Sequence, residues 1–143
     1  MPEGIPYDGI IQYILSGHAE ITIVNHDTGG QIFMRIRASK NPNIFYLYNK
    51  KGEYLGYIAL HKNGSKTLHY AGTTEEHHEL MRKFSWVWKK ALKGELPRNI
   101  TVHHAGRCGK CGRKLTDAVS LEYGVGPECR KQLSMNFQEF LAV

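Results

Sequence analysis

Three cysteines are the residues best suited to chemistry in this chain. Cys108 and Cys111 enclose two residues and are followed by Gly112, and Cys129 lies 18 residues further on. A Cys-x-x-Cys turn aims two thiolates at one point, and neighbouring glycines let backbone amides approach the sulfurs. Gly126 and Pro127 stand just before Cys129. Proline suits the first turn of a helix, where its missing N–H costs nothing. Cys129 is therefore expected in the first turn of a C-terminal helix over residues 127–141, where the dipole and free N–H groups favour a thiolate. Leu133, Phe137, Phe140 and Leu141 give that helix an apolar stripe. Such a set suits one structural zinc ion, which takes four ligands. The fourth is expected from His103 or His104, at the end of a strand that feeds the knuckle. Side chains alternate along a strand, so only one of the two faces the ion; His104 is preferred and His103 is the alternative.

Catalytic chemistry finds little footing. No glutamate stands beside a ligand in the HxE or HExxH manner, so an open, hydrolytic zinc is not expected. His77 and His78 are adjacent, not four apart, and do not face one ion together. His18, His26, His61 and His69 are scattered through expected strands and turns and read as surface or turn residues. There is no phosphate-cradling glycine loop, no paired-carboxylate motif and no nucleophile with an adjacent base. The chain reads as a non-enzyme.

The elements that must position the site follow from periodicity. Residues 8–16 suggest a short helix, capped by Asp8 and ended by Gly17, with Ile10, Ile11, Ile14 and Leu15 in one stripe. The period then changes to two. Residues 19–25, 31–37, Ile44–Tyr48, Tyr54–Leu60 and Lys66–Tyr70 read as five strands joined by turn signals, an antiparallel meander. Residues 75–93 read as the main helix. Leu80, Phe84, Val87, Trp88 and Ala91 form its buried face, Thr73 or Thr74 its cap, and Gly94 and Pro97 its stop. A short strand at 99–103 leads into the knuckle, and one or two helical turns are expected over 116–123. The expected class is α+β: an N-terminal antiparallel meander covered by one main helix (residues 1–98), then a small treble-clef-like zinc finger ending in a C-terminal helix (residues 99–143).

Charge points to a partner. Residues 1–81 hold seven Lys/Arg against eight Asp/Glu, a balance of −1, whereas residues 82–143 hold twelve against five, a balance of +7. A concentrated positive surface draws polyanions, nucleic acid first. The residues expected to contact nucleic acid, DNA or RNA, are Arg107, Lys110, Arg113, Lys114, Arg130 and Lys131 on the finger and Lys89 and Lys90 on the helix. Several sheet aromatics, Phe33, Phe45, Tyr46, Tyr48, Tyr54 and Tyr57, are of a type that stacks on bases or pairs across strands. No apolar run is long enough to span a membrane and no secretion signal is read, so a reducing cytoplasm is the expected compartment. Three cysteines there suit a metal better than disulfides.

The stretch Gly106–Cys129, GRCGKCGRKLTDAVSLEYGVGPEC, resembles a small zinc-binding domain of unknown function common in bacteriophage and plasmid proteins. The hallmark of that family is close to GRCGRCGRxLTxPxSxxxGIGPxC. Ala118 departs from it where proline is usual. Members often carry a histidine shortly before the first cysteine, which falls on His104. Upstream, Ile14–Val24 with Thr28-Gly29 and Phe33–Arg37 is similar to the longer members, whose pattern is near ILxGxAxFTLxxxxTGxxFxYRVR. The resemblance implies a mobile-element origin and a host bacterial cytoplasm, and assigns no activity. The expected function is non-enzymatic nucleic-acid binding on a zinc-held basic surface. The alternative is a phage-encoded inhibitor, anti-CRISPR-like or otherwise anti-defence, that binds a host protein.

Overall fold

Alternating apolar residues build the sheet, and its register places them in rows. The computed structural model describes residues 4–115 and 118–126. Strand β1 (His18–Asn25) turns Ala19, Ile21 and Ile23 inward. Strand β2 (Gln31–Ala38) contributes Met34 and Ile36, and β3 (Ile44–Tyr48) Phe45 and Leu47; all are buried. Strands β4 (Tyr54–Leu60) and β5 (Lys66–Tyr70) complete the expected meander. Ile21 stands opposite Met34, Ile36 opposite Leu47 and Phe45 opposite Ile58, so the inward side chains meet across strands.

A sixth strand, β6 (Ile100–His104), pairs antiparallel with β1 and gives the order β5-β4-β3-β2-β1-β6. The strand expected to open the C-terminal module is thus part of the same sheet. The 98/99 boundary drawn from sequence falls on the link between helix and sheet. The N-terminal segment shields part of the free edge of β6. Ile5 N–H donates to the Val102 carbonyl at 2.7 Å, and the Tyr7 hydroxyl donates to the carbonyls of Pro97 and Ile100.

The sheet's inner face is covered by helices. Entry is through a 3-10 turn, Tyr7–Gly9, followed by α1 (Ile10–Ile14). This is shorter than the expected 8–16 helix. Asp8 lies inside the turn and does not cap α1, whose cap position is Gly9. An alanine Cβ at Gly9 would stand 2.6 Å from the Tyr123 ring, so close packing decides that residue. Helix α2 (Glu75–Lys93) has the expected span. The Thr74 hydroxyl accepts from His77 N–H at 3.1 Å, and Gly94, at φ 69°, ends the helix in a left-handed turn. Phe84, Val87 and Trp88 are buried as expected, whereas Leu80 and Ala91 are only partly so. Met81, His77 and Ser85 take the remaining buried positions, so the stripe is rotated slightly about the axis.

Candidate metal centre

The knuckle is a tight hairpin over residues 106–115. Arg107 bridges Lys114, Cys108 N–H donates to the Arg113 carbonyl at 2.8 Å, and Gly112 N–H donates to the Cys108 carbonyl at 2.8 Å. The chain turns at Gly112, φ 76°, a conformation that suits glycine. Cys108 is buried inside the hairpin, and Cys111 is exposed at its tip.

The hairpin is seated on the start of the sheet. His18 N–H donates to the Gly109 carbonyl, and His18 Nδ1 donates to the Lys110 carbonyl at 2.6 Å. Gly109 N–H donates to the Gly124 carbonyl at 2.7 Å. An alanine Cβ at Gly109 would collide with Ser16 Oγ and stand 2.8 Å from the Tyr13 ring; one at Gly124 would stand 2.7 Å from that ring. Both glycines are therefore close-approach positions against Tyr13. Cys108, Leu115 and Val125 join the same buried cluster as the sheet and α2. The knuckle thus rests on the main core.

Tyr13 itself is fully buried. Its hydroxyl donates to the Glu20 carbonyl and accepts from Glu20 N–H, each at 3.1 Å. Ile21 is the last β1 residue paired with β6, so Tyr13 continues the edge where β6 ends. Burial pushes its pKa up to about 12. Read from sequence, Tyr13 only interrupts an apolar run, and no local signal marks it, His18 or Gly109 as supports of the knuckle.

Electrostatics favour a thiolate at Cys108. Burial raises the thiol's pKa, but N–H groups of Gly126, Cys111 and Lys110, together with the Cys111 thiol, outweigh it and hold the group down at about 7. The Gly126 N–H lies 3.4 Å from the sulfur.

The two candidate histidines face opposite ways. His104 shares a face with buried Val102 and Ile100, and its ring lies 5.9 Å from that of Tyr13. Its Nδ1 accepts from Gly106 N–H at 2.8 Å, and its Nε2 donates to the Leu121 carbonyl. His103 points to the outer face, where Thr101 Oγ1 lies 2.7 Å from both His103 Nε2 and His26 Nε2. Burial, with His26 and His104 nearby, lowers the pKa of His103. Among the described residues no three His, Cys, Asp or Glu side chains stand close enough to enclose an ion. Cys129 and the expected helix over 127–141 lie outside the described residues, as do Arg130 and Lys131.

Of the expected basic contacts, Arg107, Lys110, Arg113 and Lys114 all sit on the hairpin; Arg107, Arg113 and Lys114 are exposed and Lys110 is half-buried. Lys89 and Lys90 belong to α2, with the Lys90 ammonium 5.9 Å from the centre of the exposed Trp86 ring.

A family of unknown function, DUF6011, matches residues 101–134, 34 of the chain's 143. The match begins in β6 and takes in the knuckle, α3 (Ala118–Tyr123) and Cys129. No curated protein and no solved structure matches the chain.

Proposed function

We propose that Cys108, Cys111, Cys129 and His104 hold one structural zinc ion, and that the treble-clef-like finger so formed presents a basic surface to nucleic acid. The observation that carries this reading is the knuckle. Its backbone is already folded so that N–H groups converge on the Cys108 sulfur, the environment a zinc-bound thiolate needs. His104 fits the fourth position in a specific way. Its Nε2–H is committed to the Leu121 carbonyl, which leaves the lone pair on Nδ1, where it accepts from the N–H of the knuckle's first residue, Gly106. Nδ1 is therefore the donor, with the Leu121 carbonyl orienting the ring from behind. Zinc would replace the Gly106 N–H as the partner of Nδ1.

The ion performs no chemistry in this reading. It fixes Arg107, Lys110, Arg113 and Lys114, and with them Arg130 and Lys131, on one rigid base, with Lys89 and Lys90 on α2 adding positive charge. The protein acts without catalysis, in a bacterial cytoplasm, as the product of a phage or similar element. Fluorescence anisotropy with labelled DNA and RNA tests it. Affinity falls steeply with salt, and replacing Arg107, Arg113 and Lys114 by alanine lowers the slope of log K against log salt by roughly 2–3. Weak binding that ignores both salt and these substitutions would sink the proposal.

A further inference from the structure

The half of the chain with a balance of −1 hides a strong segregation of charge. Residues 31–70, which form β2 to β5 and their turns, contain Arg35, Arg37, Lys40, Lys50, Lys51, Lys62 and Lys66 against the single acid Glu53, a balance of +6. The remaining residues of 1–81 carry seven acids and no Lys or Arg. Glu53 itself is occupied, accepting from Asn49 at 2.9 Å and lying 3.5 Å from His77.

The outer face of these strands is aromatic. Tyr46 and Tyr57 stand opposite each other, as do Tyr48 and Tyr54, and the Tyr46 ring meets Tyr54 at 5.7 Å. Tyr57 stacks on His69 at 4.5 Å with the planes 12° apart. The Arg35 guanidinium lies 5.6 Å from the centre of the Phe33 ring. Helices α1 and α2 pack on the opposite face, and Tyr46 and Tyr54 remain 37% and 39% exposed. Two guanidiniums, Arg35 and Arg37, share the one carboxylate of Glu20 at 3.3 and 2.9 Å, leaving an excess positive charge beside the rings. Lys40, Lys50, Lys51 and Lys62 are exposed in the turns at the two ends of the face.

We infer that this outer sheet face is a binding platform for single-stranded nucleic acid, with Tyr46, Tyr54 and Tyr57 stacking on unpaired bases while the arginines and turn lysines take the phosphates. The inference rests on the nucleic-acid reading above and adds a base-contacting surface on the sheet to the basic surface of the finger. Charge alone would suit any polyanion. Clustered, partly exposed rings in the same patch select the one that offers flat unpaired bases, because paired bases present only their edges. The anchor rings brace one another, so little side-chain freedom is lost on binding.

The test uses the full-length, zinc-loaded protein and three labelled probes: an oligothymidylate, a duplex of mixed sequence and a heparin fragment. The expected order is oligothymidylate tightest by about ten-fold or more, with Tyr46→Ala and Tyr54→Ala each weakening it about ten-fold at unchanged salt slope. Tyr46→Phe and Tyr54→Phe, which keep the rings, bind as wild type does, and this controls for loss of fold. Equal binding of the duplex or heparin, or indifference to the tyrosine-to-alanine changes, overturns the inference. If binding then depends on Arg107, Arg113 and Lys114 alone, the finger reading survives without the platform. If binding depends on the tyrosines and ignores those three, the platform stands and the finger reading falls. No binding of any probe removes both.

Discussion

Tyr13 shows how one side chain ties the sheet to the candidate site. Its hydroxyl satisfies both backbone groups of Glu20, and its ring is the surface on which Gly109 and Gly124 rest. Tyr13→Phe should cost about 1–3 kcal/mol at neutral pH, because a buried N–H and carbonyl lose their partner. The pH dependence has a definite sign. A phenol raised from 10.0 to about 12 contributes stability that is whole below pH 10 and is lost as pH climbs from 10 to 12. Chemical denaturation across that window should show wild type losing stability relative to Tyr13→Phe, and parallel curves would refute the assignment. His104 and His103 give a second comparison at this scale. They are adjacent in sequence but lie on opposite faces of β6, one toward the knuckle and one toward Thr101 and His26. His104→Ala should lower zinc affinity about 10-fold or more, whereas His103→Ala leaves it near wild type. Equal retention of metal by both variants would mean that the fourth ligand is another group.

At the scale of elements, the strands and α2 were legible because their signals are local. Apolar alternation located β1 to β5, and a threonine cap with a terminal glycine bounded α2. What sequence could not supply was long-range. The seat of β6 beside β1 depends on a connection through α2, and the burial of Met81 in place of Leu80 depends on how the helix is rolled onto the sheet. The entry helix is shorter than Asp8, of a capping type, suggests: Asp8 falls inside a 3-10 turn that follows Pro6, and Gly9 takes the cap position of α1. The knuckle was legible as a Cys-x-x-Cys turn, but its dependence on Tyr13, Ser16 and His18 was not, since those residues lie some 90 positions upstream. Gly109→Ala makes that dependence measurable. Its Cβ has no room against Ser16 and Tyr13, so the change should destabilise the protein by about 1–3 kcal/mol and weaken zinc binding. Gly126→Ala, where a Cβ meets nothing within 4 Å among the described residues, is the matched control. Equal thermal stability of the two variants would show that the hairpin is not seated as described.

Across the whole molecule, the α+β fold divides labour between a sheet with its own core and a hairpin docked at one corner of it. Helix α1 supplies Tyr13 and the sheet His18 and His104 as supports, and the hairpin supplies two thiols and four basic residues. Positive charge lies in two places along the chain, residues 31–70 and residues 82–143, separated by the acidic start of α2. On the proposed nucleic-acid reading, this arrangement offers a polyanion two surfaces. The central claim is that three cysteines and His104 hold a single structural zinc, and it is tested most directly by native mass spectrometry of protein purified without added metal. One zinc per wild-type chain, lost from Cys129→Ser and from Cys108→Ser, is the predicted result. A metal-free wild type that keeps its fold, or a Cys129→Ser variant that still holds its zinc, would contradict the account.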